Sequence, residues 1–359
     1  MHIAAIQSVA GRIMWVGDLP SDFPTFLARF GTDEACREHV FRMRWPGGFC
    51  CVRCGGAQVY AHKKRLIYEC PACGKQHSLL AGTIFEQTKT GLAKWFLAIY
   101  LVTTSKRGMS AAELKRHMGF VSDQTAWLWL HKIRRAMVMP ARAPLTGTIE
   151  ADEAMIGARR RGKRGRGASG KSIVMCAVET RTFVLPPQVL QKPLQGIAKR
   201  LAERIAARAE ACIRRCLGRV RLGVVADMKA TTLQGFLAQV AAPSASITTD
   251  AYSSYARLPA RGYVHTPINV SAQPGEAHEY LPAVHLVFAH VKRWLLGTFH
   301  GAVRPKHLQI YLEEYTFRFN RRTAGSLCHG LKKLLENALV TPPTTYRQLT
   351  GRDLKVQDG

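Results

Sequence analysis

Apolar positions fall at helical spacing over residues 23–45 and 91–139 and switch to short strand-like runs beyond Thr148. Residues 23–45 carry Phe26, Leu27, Phe30, Cys36 and Val40 as a partial stripe, which predicts one short helix ended by Pro46, Gly47 and Gly48. Between Gly91 and Met139 the helical pattern returns, with Trp95, Ile99, Leu114, Met118, Trp127, Leu130 and Ile133 as expected core positions. Pro140 and Pro144 mark a linker. Four runs rich in Ile, Val and Thr follow, TIEADEAMIG, SIVMCAVE, RVRLGVVAD and SITTDAY, each bounded by turn residues. Residues 197–217 read as an amphipathic helix with Ile197, Leu201, Ile205 and Ile213 on one face. Two more helices are expected near 283–296 and 306–322, and the chain beyond Pro342 reads as a polar, loose tail.

Length then sets the scale: 359 residues predict two or three domains. A hydrophobic fraction of 47% excludes wholesale disorder. Lys and Arg number 52 against 24 Asp and Glu, a net charge of +28. That excess exceeds what solubility needs and points to a polyanion, most simply nucleic acid, bound through phosphate neutralisation. No apolar run is long enough to span a bilayer, and residues 1–20 lack the basic stretch and apolar core of a secretory signal. The expectation is a cytoplasmic protein without a membrane partner, whose ten cysteines are metal ligands or thiols rather than disulfides.

Cys51, Cys54, Cys70 and Cys73 form C-x2-C-x15-C-x2-C, the spacing of a closed four-thiolate zinc site. Gly55 and Gly74 follow the two pairs where the chain must reverse, and the segment between reads as a hairpin. With no open coordination position, one structural zinc is expected there. Further on, Ser110 and Glu113 form a capping box, Gly119 ends that helix and Ser122 can cap the next. Two short helices around a glycine turn fit either a helix-turn-helix or an ordinary helical hairpin. In the first case Asp123, Gln124, Thr125 and Lys132 lie on or near the exposed face and Trp127 and Leu130 pack inward.

Strand alternation sets Ile149, Ala151 and Glu153 on one face and Glu150 and Asp152 on the other. Asp250 ends a second strand. Two carboxylates brought together by folding can share hard divalent cations for phosphodiester chemistry, although acids at strand ends are also common turn residues. Arg159, Arg160, Arg161, Lys163, Arg164 and Arg166 follow the first strand in a glycine-rich loop suited to neutralising phosphates without reading sequence.

Together, RWPGGFCCVRCG, YECPACGKQHSLLAGTIF, KWFLAIYLV, IEADEAMIG, TTDAYSSY, HLVFAHVKRWLLGTFHG and YLEEYTFRFNRR resemble the zinc-ribbon-bearing bacterial insertion-sequence transposases of the DDE superfamily, from about Phe23 to Arg322. The resemblance implies an α/β fold: an RNase H-like mixed sheet with flanking helices, preceded by a zinc ribbon and a helix-turn-helix-like segment. It divides the chain into a disordered extension (1–22), an N-terminal helix and zinc ribbon (23–90), a helical segment (91–145), a catalytic domain (146–325, with an insertion at 180–217) and a C-terminal tail (326–359). It implies magnesium- or manganese-dependent strand cleavage and transfer by two catalytic ions, with double-stranded DNA at the element ends and target as partner, a homo-oligomer on that DNA, and association with the nucleoid. Asp152 and Asp250 match the first two catalytic acids of the family. The third position, Asn or Glu in most members, falls on His290, with Lys292 matching a following Lys. Glu314, Arg318 and Arg321 match a downstream acidic-basic signature. Three alternatives stay open at His290: a working histidine ligand, a decayed copy that acts only as a DNA-binding protein or regulator, or replacement by Glu276 or Glu279.

Overall fold

The computed structural model describes residues 18–62, 64–138, 142–157, 171–184, 213–274, 276–301, 303–324 and 328–351. The chain forms two compact units, Met1–Ala141 joined by Arg321–Gly359, and Arg142–Asn320.

In the first unit, residues 23–45 make two helices, not the single one expected: α1 (Phe23–Phe30) and α2 (Asp33–Arg44). The break lies at Gly31 and Thr32 because each helix has its own cap. Asp22 accepts from the Thr25 amide in a capping box, and Thr32 accepts from the Ala35 amide. A three-stranded antiparallel ribbon follows, β1 (Tyr60–His62), β2 (Ile67–Glu69) and β3 (Gln76–Ser78). The helical stretch divides into α3 (Leu92–Thr104), α4 (Ala111–Met118) and α5 (Asp123–Met137). Helix α3 begins at Gly91, which has no side chain to cap it, and the Asp33 carboxylate accepts the Ala93 amide at 2.8 Å instead. A Cβ at Gly91 would lie 2.2 Å from that carboxylate, so glycine is required for the approach.

The core pairing of α3 and α5 is Trp95 stacked on Trp129, ring centroids 3.5 Å apart. Trp129, not Trp127, is the inward tryptophan; Trp127 is half-buried against His131 and Tyr346. The expected tail supplies two more helices, α9 (Cys328–Ala338) and α10 (Tyr346–Thr350). Leu331, Leu334, Leu335 and Ala338 are buried on α9, which packs on α3 and α5. Asn337 Nδ2 donates to the Ala136 carbonyl at 2.8 Å, and the Ile84 amide donates to the Ala338 carbonyl at 3.1 Å. The apolar spacing of three, one and three residues is that of a core helix, and the polar residues around it mask the signal.

The second unit is a mixed five-stranded sheet in the order β6-β5-β4-β7-β8, from β4 (Thr148–Gly157), β5 (Lys171–Val184), β6 (Ile213–Val225), β7 (Ser246–Asp250) and β8 (Val264–Ile268). β4, β5 and β6 are antiparallel neighbours, whereas β7 and β8 run parallel to β4. Residues 213–217, expected in a helix, are strand: β6 pairs with β5 from Ile213 opposite Val184 onward. Cross-strand pairing there overrides the helical period of the sequence. Residues 197–212 of the expected helix lie outside the described residues.

Helix α6 (Ala230–Val240) covers one sheet face, burying Leu233 and Leu237 with Ile149, Ala151, Met175 and Ile247. Helices α7 (Pro282–Phe299) and α8 (Pro305–Phe319) cover the other, where Val284, Val287, Val291 and Leu312 meet Ile156, Val174, Cys176 and Leu222. Each face therefore has its own hydrophobic layer, the arrangement that buries both sides of a partly parallel sheet.

At the β5 bulge Glu179 is buried, and its carboxylate accepts from the Arg219 guanidinium and from the Arg219 and Thr146 backbone amides. Burial opposes its charge, but the Arg219 and backbone hydrogen bonds win and pull its pKa down to about 2. Among the described residues no helix is long and apolar enough to cross a membrane.

Candidate functional site

The four cysteines converge. Their sulfurs all lie within 4.8 Å of one another, with Cys51 3.6 Å from Cys73 and Cys54 3.5 Å from Cys70. A tetrahedral zinc with ~2.3 Å bonds has sulfur-to-sulfur edges of about 3.8 Å, so the set fits that ion. The local chain dictates the geometry. The Gly55 and Gly74 amides fold back onto the Cys51 and Cys70 carbonyls, and both glycines have positive φ, 73° and 65°. His77 is not needed as a ligand; its Nε2 lies 3.4 Å from Cys51 Sγ, where a ring N–H can steady the thiolate. Phe49, Trp45, Phe41 and Tyr68 pack beside the cluster.

Helices α4 and α5 meet around Gly119, whose φ is 64°. Ser110 caps the first through the Glu113 amide and Ser122 the second through the Gln124 amide. Gln124 is exposed and Thr125 half-buried at the start of α5. Lys132 is not on an open face: its ammonium lies 5.9 Å from the Trp95 ring centroid, and burial lowers its pKa. The turn exposes two features that sequence reading missed. Val121 is 96% exposed, and Lys115 reaches Asp123 Oδ2 at 3.1 Å.

On the sheet, the expected alternation holds: Ile149 and Ala151 face α6, and Asp152 points to the α7 face with Glu150. Glu150 pairs with Thr248 across the parallel β4–β7 ladder. Two residues further along each strand lie Asp152 and Asp250, which strand alternation sets on the face of Glu150 and Thr248. Asp152 Oδ1 accepts the Glu153 amide at 2.8 Å, and Asp250 Oδ1 accepts the Tyr252 amide at 3.3 Å. Below them, on the opposite face, the buried Tyr255 hydroxyl donates to Glu153 Oε2 at 2.6 Å, and burial with the Glu153 charge drives its pKa up.

Helix α7 brings His285 to this pair, its Nε2 3.7 Å from Asp152 Oδ2. Burial, with the charges of His278 and Lys292, lowers the His285 pKa and favours the neutral ring at pH 7. His290 is exposed and lies five residues on, about 140° around the helix at 100° per residue. Lys292 is seven residues after His285, two turns along the same face. The structure thus sets His285, rather than His290, against Asp152. Glu276 and Glu279 are exposed, and Glu276 pairs with His278 at 3.1 Å. The helical period back from Lys292 was the signal that could have found His285.

Glu314 and Arg318 are joined on α8, where Arg318 Nε donates to the buried Glu314 Oε1 at 2.9 Å. Helix α8 packs on β6, two strands from β4. Arg321 follows the end of α8 and is half-buried. Arg159, Arg160, Arg161, Lys163, Arg164 and Arg166 lie outside the described residues.

Comparison with known proteins gives two family matches: the ISXO2-like transposase domain over residues 144–320 and the transposase zinc-ribbon domain over 31–76. A transposase-like protein of Haemophilus influenzae is 31% identical over 117 residues, 33% of this chain and 94% of that protein. A protein in transposable element ISH50 of Halobacterium salinarum is 27% identical over 152 residues, 40% of this chain and 50% of its own length. No solved structure matches the chain.

Proposed function

The chain belongs to the ISXO2-like transposase family, and from that premise we propose that it binds the ends of an insertion sequence and catalyses metal-dependent DNA strand cleavage and strand transfer. The observation that carries the reading is the placement of Asp152 and Asp250 two residues beyond the paired Glu150 and Thr248 on adjacent parallel strands, with His285 of α7 against Asp152. The strand order, with the central strand antiparallel to one neighbour and parallel to the other, supports an RNase H-like core.

The donor set fits hard divalent ions: Asp152 and Asp250 would offer the carboxylate oxygens that such ions prefer. Bound there, magnesium or manganese supplies the Lewis acid and the activated hydroxyl of phosphodiester displacement. Asp152 and Asp250 provide the oxygens that hold it. His285 would offer an imidazole nitrogen beside Asp152, a donor that suits manganese better than magnesium. Lys292, exposed two turns beyond His285, offers its ammonium to the phosphate backbone. Glu314 orients Arg318, and Arg318 and Arg321 each offer a guanidinium to phosphate. Gln124 and Thr125 at the start of α5 face the duplex, and the Arg159–Arg166 loop neutralises its backbone. Two element ends must be cut and joined, which calls for a homo-oligomer on DNA, acting at the nucleoid in the cytoplasm.

The test is cleavage of duplex DNA carrying the inverted repeats that flank the gene. Nicking in manganese that is lost in Asp152→Ala bears the reading out. Binding without nicking identifies a decayed relative that acts as a DNA-binding protein.

A further inference from the structure

Glu150 is a carboxylate with 5% exposure in the centre of the second unit, and none of the chemistry above uses it. It lies on β4 two residues before Asp152 and on the same face. Its Oε2 accepts the Ala283 amide at 2.7 Å and the Val284 amide at 3.3 Å, the second and third residues of α7.

Helix α7 has no cap of its own. Leu281 occupies the cap position without a side-chain hydrogen bond, and Pro282 at the first position has no N–H to offer. The amides of the first turn are therefore satisfied from the sheet, by an acceptor oxygen at the N-terminal end of the helix. Two hydrogen bonds from one carboxylate restrain both the height and the rotation of the helix against β4. The next residue after Val284 is His285, the side chain that reaches Asp152.

We propose that Glu150 is a positioning residue for the metal-binding site: by clamping the first turn of α7 to β4, it sets the reach of His285 to Asp152. The inference rests on the reading of Asp152, Asp250 and His285 as the ion site. Glu150 acts through backbone amides, so what matters is the reach of its oxygen rather than its charge.

Two substitutions separate those properties. Glu150→Gln keeps the length and an acceptor oxygen but loses the charge, whereas Glu150→Asp keeps the charge and falls short by one methylene. Manganese affinity is measured by calorimetry on the full zinc-loaded chain. We expect Glu150→Gln to bind manganese within about threefold of the parent and Glu150→Asp to bind about tenfold or more weakly, the range of outer-shell effects on metal sites. In a His285→Ala background the Glu150→Asp substitution should add almost nothing, because its effect passes through His285. Parent-like affinity in Glu150→Asp, or a loss that persists in full without His285, overturns the proposal. Failure of the underlying reading looks different: the parent binds no manganese beyond its zinc site, or Asp152→Ala binds as the parent does.

Discussion

Asp152 and Asp250 occupy matching positions on adjacent parallel strands, reached from the Glu150–Thr248 pair by the same two-residue step on each. Each carboxylate has one oxygen tied to a nearby backbone amide. Asp152→Ala and Asp250→Ala are each expected to lower DNA cleavage by on the order of 1000-fold, about 4 kcal/mol of transition-state stabilisation. Gel assays of nicking, with duplex binding measured in parallel, check this; binding should persist.

His285 and His290 make a direct comparison on one helix. His285→Ala should reduce cleavage on the order of 100-fold, as loss of a metal ligand does, and His285→Glu should recover activity in magnesium by supplying a hard oxygen. His290→Ala should change cleavage by less than about threefold, since its side chain is exposed and on another flank of α7. Equal losses in the two alanine variants would place both histidines in the site.

One zinc per chain is expected, held by Cys51, Cys54, Cys70 and Cys73. Cys70→Ser should lower its occupancy and unfold the ribbon, because so small a module has little core beyond Phe49 and its neighbours. Metal analysis and limited proteolysis around residues 50–78 read both effects.

The Arg159, Arg160 and Arg161 to Ala triple variant should weaken binding to all duplexes alike. Each lost phosphate contact lowers the slope of log affinity against log salt by about 0.9, so the total change is at most about three. An unchanged slope would make the run a solvated face.

Acid should strip stability from the second unit through Glu179. Its pKa falls from 4.5 to about 2 on folding, so its contribution is complete above pH 4.5 and is lost as pH falls towards 2. That contribution is on the order of 3 kcal/mol. Chemical denaturation of Glu179→Gln at pH 7 and pH 3 should show a penalty that shrinks at the lower pH.

The sheet unit was more legible in the sequence than the helical one. Alternation around Asp152 named both faces of β4 correctly, because a strand's period of two leaves little freedom. The zinc ligands were legible from spacing alone, since ligation restricts it. Helical wheels proved looser: Trp127 and Trp129 both sit near an apolar face, and only packing on Trp95 decides between them. Residues 213–217 keep a helical period that pairing with β5 overrules. His285 escaped notice because a motif match led to His290, while the helical period from Lys292 pointed one residue-face away. Glu150 was visible as a strand acid, but its partners are backbone amides 133 and 134 positions distant, which no local pattern announces.

Helix α9 comes after the whole five-stranded sheet in the chain, yet its Leu331, Leu334 and Leu335 fill the core beside α3 and α5. On the ribosome, the half that emerges first is thus completed only once α9 has cleared the exit tunnel. A message broken before codon 328 yields a sheet with all its strands but an N-terminal unit lacking a wall. Such a fragment would leave the apolar faces of α3 and α5 that α9 covers open to proteases.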